Sequence, residues 1–249
     1  MTNWASIVGW GQPGWAYSAV ALAIIAGGCA SPSNRDLAVA PPMPDPALSE
    51  PGSISLDRNF YIVIDGSGSM SEKECAGAFA TRVEAAKWAV NEFTARSVPS
   101  DVNLGLYIFD SSGSRERVPI GRDNRAAIKA QVDRTTAGGG TPLNAAIQSA
   151  VVELARQRNR QMGYGEYYVV LATDGAASDG DLASGGVRYA QQNGIPIITI
   201  GFCLNQDHAL SKGSFSYRNA NSPADLLGAL QETQGEAPYF DASAFRSTR

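Results

Sequence analysis

Phe60-Tyr61-Ile62-Val63-Ile64 is an unbroken apolar run closed by Asp65. A strand with one face in water alternates apolar with polar residues. A strand without that alternation is covered on both faces, as parallel strands are. Segments of the same kind return at 102–109, 167–172 and 195–202, and helical patterns lie between them. Over residues 76–97, Phe79, Val83, Ala86, Val90 and Phe93 recur at spacings of four and three, which is one helical face, and Pro99 stands just past its end. A polar helix is expected near 123–134. Thr141 is expected to cap the next helix with Pro142 at its first position, and Leu143, Ala146, Ile147, Ala150, Val151 and Leu154 form its buried face. A helix over 181–192 is diluted by Gly185-Gly186. Ser222-Pro223-Ala224-Asp225 is a capping box that opens a last helix through residue 234. Short strands are expected at 117–120, on an edge after the turn 111–114, and at 215–220. Strands alternating with helices give an α/β fold with a doubly wound, mainly parallel sheet and one short antiparallel edge strand.

In such a sheet, ligands bind beyond the carboxyl ends of the strands, where the strand order reverses. Right-handed crossovers and an order of 3-2-1-4-5 set strands one and four side by side at that reversal. Strand one ends in Asp65-Gly66-Ser67-Gly68-Ser69, and strand four in Thr173-Asp174-Gly175. Asp65 and Asp174 then converge from neighbouring strands. Ser67 and Ser69 add hydroxyls at alternate positions, and Thr141 follows the run Gly138-Gly139-Gly140. Carboxylate and hydroxyl oxygens are hard donors that suit a small hard cation. Gly66 and Gly68 are expected to let the first loop turn tightly, and the glycine run to let the second come close.

The three-part pattern resembles the von Willebrand factor A domain and its metal-ion-dependent adhesion site. The resemblance covers about 180 residues and fills all five positions of the motif. It implies a Rossmann-like core, with Ser67, Ser69 and Thr141 touching Mg²⁺ or Mn²⁺ and with Asp65 and Asp174 acting largely through water. It implies one open coordination position that an Asp or Glu of a protein partner can fill.

Charged residues are 18% of the chain and the formal net charge is −4, which argues against a nucleic-acid partner; the basic clusters at 156–160 and 115–117 read as a solvated helix end and a solvated loop. Residues 1–28 contain no Asp, Glu, Lys or Arg and end in Ala26-Gly27-Gly28 before Cys29. This resembles a bacterial lipoprotein signal peptide with its lipobox, which would make Cys29 a lipidated first residue. The region before the apolar stretch lacks a positive charge, and Ala26 stands where the lipobox usually has Leu. Residues 29–57 hold Pro32, Pro41, Pro42, Pro44, Pro46 and Pro51 and read as an extended linker, with a reach on the order of 30 Å. The A-type domain is assigned to 58–237 and a tail to 238–249. The address is then the cell envelope, by a lipid anchor. The alternative is a start at Met43 and a cytosolic protein serving as an adaptor in an ATPase-linked assembly.

Cysteines follow the same fork. If Cys29 carries lipid, Cys75 and Cys203 remain as an even pair in an oxidising compartment, where a disulfide is expected. Both follow carboxyl ends of strands and share one rim. Two buried free thiols are the cytosolic alternative. A hydrolase reading takes Ser69, Asp174 and His208 in the chain order Ser…Asp…His, but the Gly-x-Ser-x-Gly elbow is absent around both Ser67 and Ser69. The reading carried forward is a non-catalytic, membrane-tethered protein-binding module, its partner selected partly by a rim loop at 205–208 and 211–217.

Overall fold

The computed structural model describes residues 52–175, 177, 183–204 and 209–236. The expected signal segment, Cys29, most of the linker, His208 and the tail lie outside them.

Strand β1 (Arg58–Asp65) is flanked on both sides by parallel partners, β2 (Asn103–Asp110) and β4 (Glu166–Thr173). The sheet continues outward through β5 (Ile197–Phe202) and β6 (Ser216–Ala220), both parallel, and through β3 (Gly113–Gly121), which is antiparallel to β2. The order is β3-β2-β1-β4-β5-β6, with the reversal between β1 and β4. Alternate residues of β1 feed two cores. Phe60, Ile62 and Ile64 join helices α1 (Arg82–Glu92), α2 (Arg125–Asp133) and α6 (Pro223–Glu236) on one face. Tyr61 and Val63 join α3 (Leu143–Arg160) and α4 (Ala183–Gln192) on the other. Burial on both faces is why β1 and β4 read as unbroken apolar runs. Among the described residues no helix is long and apolar enough to cross a membrane.

Three expectations change. Helix α1 begins at Arg82, not at 76, with the Thr81 hydroxyl accepting from the Glu84 N–H at 3.4 Å. Cys75 has φ 61° and Gly77 φ 60°, left-handed values that no right-handed helix accommodates. The chain turns there, and Phe79 reaches the core from the turn, against Trp88. Helix α3 begins at Leu143 with Pro142 rather than Thr141 at its N-cap. Residues 211–217 are not a rim loop. They run from a short helix, α5 (Ala209–Gly213), into β6, and the Phe215 N–H donates to the Ile197 carbonyl at the amino end of β5, away from the strand ends that carry the aspartates.

Cys75 and Cys203 form the expected disulfide, with Cα atoms 5.8 Å apart across 128 residues of sequence. Cys203 directly follows β5, and its N–H donates to Ala220 at the end of β6 at 2.7 Å. The bridge therefore ties the turn after β1 to the carboxyl end of β5, beside the edge strand β6, and it closes a long loop in the unfolded chain. The Cys75→Ser/Cys203→Ser double variant should lose about 2–5 kcal/mol, read as a lower urea midpoint, with a larger m because the unfolded chain is released from the loop. Equal midpoints would mean that the bridge adds nothing to stability.

Candidate metal centre

Asp65 is fully buried where β1 ends, and Asp174, 6% exposed, directly follows β4. The loop between Asp65 and Ser69 is held by its own first carboxylate. Oδ1 of Asp65 accepts from the Ser67 N–H at 2.8 Å, and Oδ2 accepts from the Thr173 hydroxyl at 2.6 Å. Ser67 and Ser69 present their Oγ atoms 3.1 Å apart, and the Ser69 hydroxyl donates to Oδ1 of Asp174 at 2.7 Å. Ser67, Ser69 and Asp174 thus form a connected chain of oxygens, and Asp65 joins it through the Ser67 main chain.

The second loop is clipped to the first by backbone. The Gly138 N–H donates to the Gly66 carbonyl at 2.9 Å, and the Gly68 N–H donates to the Gly139 carbonyl at 3.1 Å. Gly139 has φ 80°, which glycine adopts freely. A Cβ on Gly66 would lie 2.9 Å from Cβ of Asp110 and 3.0 Å from the Phe109 carbonyl oxygen, so only glycine fits. Gly68 carries no such constraint, its nearest neighbour being an ordinary 3.6 Å contact. The clip brings buried Thr141 to the rim on the loop that leads into α3. Among the described residues no three His, Cys, Asp or Glu side chains gather as a metal cluster, so a cation here depends on hydroxyls as well as carboxylates.

Do these donors fit a hard divalent ion? Adjacent oxygens of an octahedron with bonds of 2.0–2.1 Å lie about 3 Å apart. The Ser67 and Ser69 hydroxyl oxygens meet that spacing. Both carboxyls are held above the usual aspartate range. Burial raises Asp65 to about 6; the Ser67 and Thr173 hydrogen bonds oppose this, and the charge of Asp174 adds to it. Burial also raises Asp174, against the opposing hydrogen bonds from Ser69 and Arg82. Two buried carboxyls whose ionisation is disfavoured are suited to a cation that would compensate them. Asp110, which ends β2 nearby, is already engaged: its Oδ1 accepts from Arg117 and from the Ser112 N–H and hydroxyl.

Two participants escape sequence reasoning. Thr173, readable as part of a turn, holds Oδ2 of Asp65. Arg82, at the first position of α1, is buried and places Nη1 3.0 Å from Oδ2 of Asp174. The one signal for Arg82 is its place, since a cation in the first turn opposes the helix dipole and calls for another reason.

The von Willebrand factor type A domain model matches residues 59–248. The chain belongs to that family. No curated protein sequence matches it significantly. Among solved structures, this A domain is similar to the pilus adhesin SpaC of Lactobacillus rhamnosus GG, with TM-score 0.60 and 17% identity over 76% of this chain and 31% of that one. It is similar to the vWF domain of the type V pili tip protein Mfa5 of Porphyromonas gingivalis, with TM-score 0.55 and 13% identity over 74% of this chain and 96% of that one. It is also similar to the manganese-loaded TRAP protein of Plasmodium vivax, with TM-score 0.52 and 18% identity over 70% of this chain and 72% of that one. The chain spans about a third of the length of SpaC. At these identities the likeness establishes the shared fold.

The Asp65 carboxyl makes a prediction for the metal-free domain. Its folded pKa lies above its unfolded one, so protonation favours the folded state. That contribution is complete below about pH 4 and is lost as the pH rises through about 6. In EDTA, wild type should lose stability relative to Asp65→Asn over this window, and the difference between the two urea midpoints cancels the other carboxylates. A difference that does not change with pH would show that Asp65 titrates normally.

Proposed function

We propose that this A domain is a non-catalytic binding module that captures an acidic side chain of a protein partner through a bound Mg²⁺. The reading is carried by the Ser67–Ser69 hydroxyl pair, 3.1 Å apart between two buried aspartates at the sheet's point of reversal. Ser67, Ser69 and Thr141 would hold the ion directly, with Asp65 and Asp174 behind them. When bound, the ion would supply an electrophilic position for an incoming carboxylate.

The protein's own groups do the rest. Asp65 fixes the loop through the Ser67 N–H, and Thr173 fixes Asp65. Asp174 accepts from the Ser69 hydroxyl, so in the Ser67–Ser69 contact Ser67 donates and Ser69 accepts, which leaves one Ser69 lone pair for an ion. The sequence around the two serines supports a binding role over a hydrolytic one, since neither Ser67 nor Ser69 carries the Gly-x-Ser-x-Gly elbow of a nucleophile. The apolar stretch before Cys29 supports a lipid anchor and an address in the cell envelope. The pilus proteins among the structural relatives are in keeping with such an address.

Calorimetry should find one Mg²⁺ or Mn²⁺ site in wild type and none in Asp65→Ala. Capture of an envelope protein on the immobilised domain should be abolished by EDTA and restored by Mg²⁺. Thr141→Ala should weaken capture while costing only about 1–2 kcal/mol of stability, since it deletes one hydroxyl and one methyl group. A partner retained equally in EDTA and by Thr141→Ala would sink the metal-bridged mode. Mass spectrometry of the mature protein tests the anchor, which predicts a lipid-modified Cys29 at its N-terminus.

A further inference from the structure

Arg82 is anchored more heavily than a helix-opening arginine needs to be. Its Nε donates to the Glu74 carbonyl at 3.0 Å. Its Nη2 lies 3.0 Å from the Glu72 carboxylate and 3.2 Å from that of Glu74. The same Nη2 lies 3.4 Å from Sγ of Cys203, in the disulfide that pins the turn carrying both glutamates. Three of these contacts come from one short turn and the fourth from the disulfide bonded to that turn. Together they leave Nη1 aimed at Oδ2 of Asp174, whose side chain is fully buried.

Stability does not account for this pair. Burying an arginine and an aspartate together is seldom favourable against an apolar pair of the same volume, and the N-terminal turn of a helix repels a cation. What the pair does is divide the Asp174 carboxylate. Oδ1 is given to the Ser69 hydroxyl and Oδ2 to Arg82, so neither oxygen is free to swing onto an ion. The guanidinium also cancels one of the two buried negative charges. Glu72 and Glu74 also face Arg82, but they are more than half exposed and their charges act through water, so each weighs less than a buried carboxylate although Glu72 still acts on Asp174. A divalent ion held here would keep net positive charge, which favours an added carboxylate.

We propose that Arg82 is a positioning residue of the metal centre: it withholds Asp174 from the ion and thereby makes the site weak for metal alone and receptive to an external carboxylate. This rests on the metal reading above. The test is Mn²⁺ binding to wild type, Arg82→Met and Arg82→Lys, by calorimetry and by water-proton relaxation, which counts the waters on the bound ion. Arg82→Met should bind Mn²⁺ about tenfold or more tightly, because a nearby unit charge is removed, and should show one water fewer as Asp174 enters. Arg82→Lys should stay within about threefold of wild type, because it retains the charge. A merely structural arginine would change stability and leave the water count alone.

Wild type that takes up no Mn²⁺ overturns the metal reading and this inference with it. Wild type that binds, with Arg82→Met folded by circular dichroism and equal in affinity and water count, overturns this inference alone. If Arg82→Met does not fold, a crystal of wild type soaked in Mn²⁺ decides. The Arg82–Asp174 pair should persist there. A broken pair, with an Asp174 oxygen within about 2.3 Å of the ion, would overturn the proposal.

Discussion

Everything at the rim depends on β1 being held from both sides. Its backbone pairs in parallel with β2 and β4, and its side chains enter both cores. The strand therefore has no freedom to shift, because a slip of one residue would exchange Phe60 and Ile62 with Tyr61 and Val63 between two differently shaped cores. Asp65 is delivered to one point as a result. β4 is locked to β1 over seven residue pairs, from Arg58 with Glu166 to Ile64 with Ala172, and it delivers Asp174 beside it. The carboxylates meet because two strands are in register, and the loops only finish the arrangement.

Burial then sets the chemistry. In water, Asp65 and Asp174 would be ordinary carboxylates. With solvent removed, each must be satisfied by named donors: the Ser67 N–H and the Thr173 hydroxyl for one, the Ser69 hydroxyl and Arg82 for the other. Every donor is in turn fixed by something else. The glycine loop clips Gly66 and Gly68, and the disulfide backs Arg82. The result is a set of oxygens whose spacing is imposed by the fold, which is what preorganisation means for a binding site.

Much of this was legible in the chain itself. The strands announced themselves because double burial erases alternation, and the five site residues could be named because each sits within a few positions of a strand or helix end. The sheet order followed from handedness. What escaped had its partner far away in sequence. Arg82 and Asp174 are 92 residues apart, and Thr173 and Asp65 are 108 apart, so nothing local marks either pair. The late start of α1 escaped for a different reason. The apolar spacing of Phe79 with Val83 is helical, yet the left-handed backbone at Cys75 and Gly77 overrides it. The strand expected at 215–220 is present as β6, and what escaped is the short helix α5 before it, whose polar residues look like a loop.

The polarity of β1 has a mechanical meaning. The chain arrives at Arg58, at the amino end of the central strand, and Ser67 and Ser69 leave from its carboxyl end, about 25 Å away at the usual rise per residue. A partner gripped at those serines and a tether pulling on the residues before Arg58 would load the same continuous stretch of main chain. Under the proposed grip and anchor, the share of the load borne by the serines would pass along covalent bonds of β1, and the share borne by Thr141 would enter α3. A domain wired in this way can be pulled without first being unzipped.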